Sequence, residues 1–311
     1  MHHVELDSTV GYFRQLKSRL NRFVNHFRSD ILIEEITPQH ISEFKGSLLK
    51  KGLSGTTLNS NMDKVMSLFK IAVADDTISK SPFRAYTRSK TIPSNRTKLT
   101  DDQIETMRKL DLPTNDKKNW LHNTRNYYLF SYFNAGIRVA DLIQLRVENI
   151  SDGRLEYEMD KTGHKKSIAL NMRSLEILKE YLKEGSQPKD YLFPILDNAA
   201  PYAKFTGYSD KRKMDINLRK QLFMHISANT SIINNNLAII SEKMKLDAKI
   251  SFHTSRHSFA DKARRAMKTS NKITIVDIMN ALGHKSISTT QIYLNTFDKE
   301  ALDEAMEDIF A

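Results

Sequence analysis

Residues 251–260 read Ser251-Phe252-His253-Thr254-Ser255-Arg256-His257-Ser258-Phe259-Ala260. On a helix, His253 and Arg256 at positions i and i+3 fall on one face. Two further stretches stand out. Upstream, Ala135-Gly136-Ile137-Arg138-Val139-Ala140-Asp141-Leu142 sets an arginine just after a glycine turn, three residues before an aspartate. Downstream, Ala281-Leu282-Gly283-His284-Lys285-Ser286-Ile287-Ser288-Thr289-Thr290-Gln291-Ile292-Tyr293 sets a glycine–histidine pair nine residues ahead of a tyrosine. Taken singly, each has a commonplace reading. Arg138 and Asp141 make a helix-start ion pair of little worth. His253 and Arg256 make a structural pair, His284 a cap, and Tyr293 half-buried packing. The set carries the argument, not its members.

The chain around these stretches has 311 residues, which suits two domains better than one. Hydrophobic residues make up 40% and charged residues 27%, enough apolar material for two cores in a globular chain. No apolar run approaches the roughly 20 residues of a membrane span, and the N-terminus lacks a signal-peptide pattern. No helix pairs a strong apolar face with a lysine-rich one, so a membrane surface is not the expected partner. Without cysteine there are neither disulfides nor thiolate metal sites, which fits a cytoplasmic address. The net charge of +11 favours a polyanionic partner, nucleic acid first.

Residues 1 to 90 read as a helical unit. Tyr12, Leu16, Leu20, Phe23 and Phe27 recur at helical spacing, interleaved with Arg14, Lys17, Arg19, Arg22 and Arg28. Thr37-Pro38 opens a second helix through Ile41, Phe44 and Leu48, and Lys50-Lys51-Gly52 closes it. Ser54 or Thr56 starts a third, carrying Leu58, Met62, Val65 and Phe69. Residues 91–98 are polar and basic, with a proline and no apolar period, and read as a linker. Leu99-Thr100-Asp101-Asp102-Gln103 looks like a capped helix start opening a second domain, 99–311. Within it, Leu155, Tyr157 and Met159 alternate with Glu156, Glu158 and Asp160, Thr162-Gly163 turns, and Ile168 and Leu170 return, a β-hairpin signal. The fold class is therefore mainly α with a small antiparallel β-sheet around Leu155–Leu170. Beyond the hairpin the chain reads as helical again, and the long stretch from about Asp197 to Asn236, with Lys204, Lys211, Arg212, Lys213, Arg219 and Lys220, is left without a place in that pattern. The tail, 298–311, is acidic with one apolar stripe (Leu302, Ala305, Met306, Ile309, Phe310) and calls for a protein groove rather than DNA.

Together the singled-out residues supply one reaction, attack on a phosphodiester without metal. Its non-bridging oxygens need cationic donors, and arginine forks match them and stay charged. Arg138 and Arg256 are the candidates. A nucleophile that must leave again for the strand to be rejoined is best a phenol, with a pKa of about 10. Tyr293 fits, with His253 as its base. Lys161 at the hairpin tip is the acid for the departing 5′-oxygen, although Lys165 and Lys166 lie on the same hairpin. His284 donates to the phosphate in the transition state. The product is a 3′-phosphotyrosyl link that stores the bond energy, so neither ATP nor another cofactor is required.

These stretches, in this order, resemble the tyrosine recombinase (phage integrase) family, whose pattern is filled at Arg138, Lys161, His253, Arg256, His284 and Tyr293. The likeness covers the chain from Leu99 to its end. It extends more weakly to residues 9–90, which look like the family's SAM-like core-binding domain, and Ile31 to Phe83 resembles integrases of bacterial mobile elements. It implies a site-specific recombinase whose two domains clamp double-stranded DNA. Four protomers, a homotetramer on DNA, would exchange strands through a four-way junction, with the acidic tail docked on a neighbour. Accessory DNA-bending proteins stay open at this point. Larger integrases carry an extra N-terminal domain for arm-type sites, and this chain starts almost directly in the core-binding helices, so that domain is absent or was removed. Two other readings stand beside this one: a type IB topoisomerase, and a non-catalytic DNA-binding regulator that keeps the fold. A metal-dependent nuclease would need clustered carboxylates, which the spacing does not provide.

Overall fold

Thr9, Thr37, Ser54 and Thr100 each stop a loop and start a helix. Their hydroxyl oxygens accept backbone N–H groups of the first turn, from Tyr12, His40, Thr57 and Gln103, at 3.2–3.4 Å. A computed structural model describes residues 9–27, 31–92, 97–114, 120–270 and 272–295. The chain divides into two compact units, Met1–Ser94 and Asn95–Ala311. Residues 93–96 of the expected linker and the whole tail 298–311 lie outside the described residues.

The first unit is a helical bundle of α1 (Val10–Val24), α2 (Pro38–Lys50) and α3 (Gly55–Ala74). The apolar positions seen in the sequence face inward: Leu16, Leu20 and Phe23 meet Ile41, Phe44 and Leu48 and, from α3, Leu58, Met62, Val65 and Phe69. Phe23 sits edge-on to Phe44 and Phe69, with ring centroids 5.0 and 6.1 Å away. Each such side chain contributes roughly 1.5–3 kcal/mol by leaving water. Buried Asn59 ties the chain after α3 back onto it, accepting from Ser89 N and donating to Ser89 O, both at 2.9 Å.

The second unit is built on α5 (Trp120–Phe133), preceded by α4 (Asp101–Lys109). Its Tyr127, Tyr128, Leu129, Phe130 and Tyr132 are all buried, as expected of a helix apolar on every side. There follow α6 (Val139–Ile143), β1 (Ile150–Ser151), β2 (Arg154–Glu158), β3 (Lys165–Ala169), α7 (Met172–Leu178), α8 (Tyr208–Arg212), α9 (Ile216–Lys243), α10 (Phe252–Thr269), α11 (Ile275–Leu282) and α12 (Ile287–Asn295). The sheet runs β1-β2-β3, antiparallel throughout, with Leu155 opposite Ile168 and Tyr157 opposite Lys166. Helix α10 separates two cores: Phe252 belongs to the main one, and Ala260 to a smaller one with Ile278, Leu282 and Leu294. Among the described residues, no helix is long and apolar enough to cross a membrane.

The stretch left without a place in the sequence pattern holds α8 and most of α9. Asn234 and Asn236 serve tertiary contacts there. The Asn234 side-chain oxygen accepts Phe252 N at 2.8 Å, and the Asn236 amide donates to Thr124 Oγ1 at 3.0 Å.

Candidate active site

The turn before Arg138 and the end of α11 before His284 both meet Arg256, near the start of α10. Helix α5 stops at Phe133, and the chain reverses through Ala135 (φ +60°) and Gly136 (φ +68°). This left-handed turn delivers Arg138 to the N-cap position of α6. Gly136 is there because a side chain would not fit: a Cβ would lie 2.7 Å from the Arg256 Cα. The turn and α10 are held together by the Ser131 and Ser255 hydroxyls, 2.8 Å apart.

Arg256 is only 4% exposed. Its Nη1 donates to the Gly136 carbonyl at 2.9 Å, and its Nη2 donates to the Leu282 carbonyl, the last of α11. One side chain therefore links the Arg138 turn to the helix that ends at His284. Arg138 is about a quarter exposed; its Nη1 donates to Met159 Sδ at 3.0 Å and lies 3.9 Å from Asp141 Oδ2. Asp141 is buried, and its Oδ1 accepts Asp160 N at 2.8 Å. Burial pushes its carboxyl up to about 6, against the Asp160 amide and the Arg138 charge, which both pull it down.

Gly283, in the left-handed conformation at the α11 C-cap (φ +64°), turns the chain into His284. The His284 Nδ1 lies 3.0 Å from the hydroxyl of buried Thr290 on α12, which orients the ring. His253 lies in the first turn of α10, is exposed, and stacks edge-on against His257 at 4.5 Å. Tyr293 stands on α12; its side chain lies outside the described residues.

The hairpin lysines part company. Lys161 is exposed in the turn between β2 and β3. Lys166 points the other way, onto the inner face of the sheet with Leu155, Tyr157 and Ile168. Its Nζ donates to the carbonyls of Asn280 and of Ala281, the latter at 2.8 Å. Desolvation first, then the charges of Arg256 and Arg138, bring its ammonium down to about 8. Tyr157 feels both arginines too, but burial keeps its phenol above the ordinary value, hence protonated. The period-2 pattern that puts Tyr157 inward puts Lys166 there as well, so the signal was in the sequence.

Helix α8, whose position the sequence left open, supports this hairpin. The Glu158 carboxylate accepts Tyr208 N at 2.9 Å. The Tyr208 ring lies against Gly163 (φ +68°), where a Cβ would approach it to 3.0 Å. Lys211 Nζ reaches Asp160 Oδ1 at 3.5 Å; burial lowers its ammonium, and Asp160 and Asp141 hold it up.

The profile of the phage integrase family matches residues 98–300, and that of the phage integrase SAM-like domain matches residues 1–90. A tyrosine recombinase of Pseudothermotoga lettingae is 24% identical over 305 residues, 95% of this chain and 90% of the relative. Among solved structures, a lambda integrase dimer bound to a COC′ core site has a TM-score of 0.61 at 18% identity, covering 93% of this chain and 89% of that one. A lambda integrase tetramer bound to a Holliday junction has a TM-score of 0.58 at 18% identity, covering 92% and 72%.

Proposed function

The chain belongs to the phage integrase family, and on that premise we propose how it cuts and rejoins DNA, residue by residue. It is a tyrosine-type site-specific recombinase. Arg138 and Arg256 bind the two non-bridging oxygens of the scissile phosphate. The Tyr293 oxygen attacks phosphorus, and His253 takes the phenolic proton. The bond to the 5′-oxygen breaks, and Lys161 gives that oxygen a proton. His284 donates to the phosphate as negative charge builds. The resulting 3′-phosphotyrosyl ester is attacked by a 5′-hydroxyl in the reverse sequence, which frees Tyr293 and needs no ATP. The supporting observation is that Arg256 bonds both the turn that carries Arg138 and the helix that ends at His284. Double-stranded DNA is the partner, and residues 1–90 are the core-binding domain that helps hold it. Four protomers on two sites is the expected assembly, since a protein of the same fold forms a tetramer on a Holliday junction. Such work on DNA supports a cytoplasmic address.

Covalent trapping tests this. Wild type and Tyr293→Phe are incubated, without divalent metal, with nicked duplexes carrying a site selected by binding from randomised DNA. Wild type is expected to give a denaturant-stable protein–DNA adduct, and Tyr293→Phe none. Tight binding without an adduct from wild type would overturn the reading in favour of a regulator. An adduct without strand exchange between two sites would favour a topoisomerase-like enzyme.

A further inference from the structure

A lysine on the inner face of a sheet is costly, because burial strips its ammonium of water. Lys166 takes the place where β3 would otherwise set an apolar side chain against Tyr157. The groups that face it sharpen the point: Arg256 from α10 and Arg138 from α6 repel it, and the Asp141 carboxylate attracts it. What its ammonium gains is the end of α11, where it donates to the Asn280 and Ala281 carbonyls. Arg256 takes the next carbonyl, Leu282. Two cations thus occupy three consecutive carbonyls at the negative end of that helix, an arrangement the helix dipole favours.

Just past these carbonyls the chain is tight. A Cβ at Gly283 would lie 2.8 Å from the Met159 Sδ and Cε and 3.0 Å from the Lys166 Cε. The amides of Gly283 and His284 are bonded back into α11, to Asn280 O at 3.1 Å and Met279 O at 3.0 Å. The hairpin therefore forms a floor under the Gly283-His284 turn, and Lys166 is its charged attachment.

We propose that Lys166 is a positioning residue for DNA cleavage: it fastens the β2–β3 hairpin to the C-terminal carbonyls of α11 and so seats the Gly283-His284 turn beside Arg256. The inference rests on the cleavage reading above. Lys166 acts through α11, since its ammonium is engaged by carbonyl oxygens. Neutral lysine has one donor fewer and no charge for the helix end, so the attachment weakens as pH rises through about 8.

Four proteins are compared across pH 6.5–9.5 by the rate of adduct formation on the nicked duplex: wild type, Lys166→Met, Lys166→Arg and Lys165→Met. Lys165 lies on the outer, exposed face of β3 and serves as the control. At pH 7, Lys166→Met is expected to be slower by about 10- to 100-fold, the scale of a catalytic group misplaced by an ångström. Lys165→Met matches wild type. Lys166→Arg restores most of the rate, and it loses the wild-type decline above pH 8 because guanidinium stays charged. Equal rates for Lys166→Met and wild type, or one pH profile for wild type and Lys166→Arg alike, would overturn the proposal. Should Lys166→Met fail to fold, the pH comparison of the other two decides. Hydrogen exchange at the Gly283 and His284 amides supplies a readout independent of cleavage. Protection is expected to fall in Lys166→Met, and unchanged protection overturns the attachment. If wild type itself forms no adduct, the cleavage reading fails while the exchange result still judges the contact.

Discussion

Asp141 is held in two different ways by its two oxygens. Oδ1 accepts the Asp160 amide, whereas buried Oδ2 accepts no hydrogen bond among the described residues and has Arg138 3.9 Å away, too far for one. The carboxyl is displaced upward to about 6 because desolvation outweighs that distant charge. The sign of the linkage follows. In the folded chain Asp141 keeps a proton that the unfolded chain releases near pH 4, so its contribution to stability is complete below that pH and is lost as pH rises through 6. The displacement corresponds to roughly 3 kcal/mol. Asp141→Asn keeps an acceptor for Asp160 N–H and removes the charge. Its stability relative to wild type, followed by urea denaturation, is expected to climb between pH 4 and pH 7 by up to that amount. A difference that stays flat would mean that Arg138 holds the carboxylate ionised throughout. The spacing of Arg138 and Asp141 was legible in the sequence. The burial of Asp141 was not, because the amide that covers it belongs to Asp160, nineteen positions on, at the end of a hairpin.

At the scale of elements, the hairpin and α8 form one device. Alternation of Leu155, Tyr157 and Met159 made the hairpin readable, since a strand with one buried face must repeat every second residue. The capped starts at Thr9, Thr37, Ser54 and Thr100 mark helices whose first turns carry their own stop-and-start chemistry. Helix α8 has no such local signal. Five residues cannot sustain a helix alone, and what fixes this one is tertiary: the Glu158 carboxylate on Tyr208 N, the Tyr208 ring on Gly163, and Lys211 on Asp160. The helical character beyond the hairpin was legible, but the bounds of α9 were not, for a related reason. Its Asn229, Thr230, Ser231, Asn234, Asn235 and Asn236 are poor helix formers, and two of them bond to α10 and α5 instead. The device predicts a selective loss. Tyr208→Ala removes the ring beneath the turn that carries Lys161 and leaves the arginines untouched. Adduct formation is expected to fall about tenfold or more while duplex binding changes little. Hydrogen exchange should rise at the Gly163 amide, which the Met159 carbonyl accepts at 2.8 Å. Unchanged exchange and unchanged cleavage would show that α8 supports nothing in the reaction.

At the scale of the molecule, each of the two units closes a core of its own. In the first, Leu16, Phe23, Phe44, Leu48, Met62 and Phe69 lie buried among themselves, and the chain after α3 is tied back by Asn59. In the second, the chain is anchored as it enters: Leu99 N donates to Ser258 Oγ at 2.8 Å, and the Lys98 ammonium pairs with the Asp261 carboxylate at 2.8 Å, both on α10. Both partners of that pair are largely buried, so it is worth more than a surface bridge only while both stay in place. Residues 1–94, produced alone, are therefore expected to melt cooperatively as a helical domain. Charge predicts how the two units share DNA. An excess of 48 basic over 37 acidic residues made a polyanionic partner legible, yet basic side chains that touch phosphate look the same in sequence as those that face solvent. Salt dependence separates these cases, because each neutralised phosphate releases counterions. A full-length chain that neutralises about eight phosphates should show a log-affinity against log-salt slope near −7, and residues 1–94 a distinctly shallower one. If the isolated domain kept the full slope, the second unit would contribute chemistry without grip, and Arg138 and Arg256 would meet only a phosphate already delivered by the first. A flat slope for the full-length chain would remove phosphate neutralisation from the account altogether.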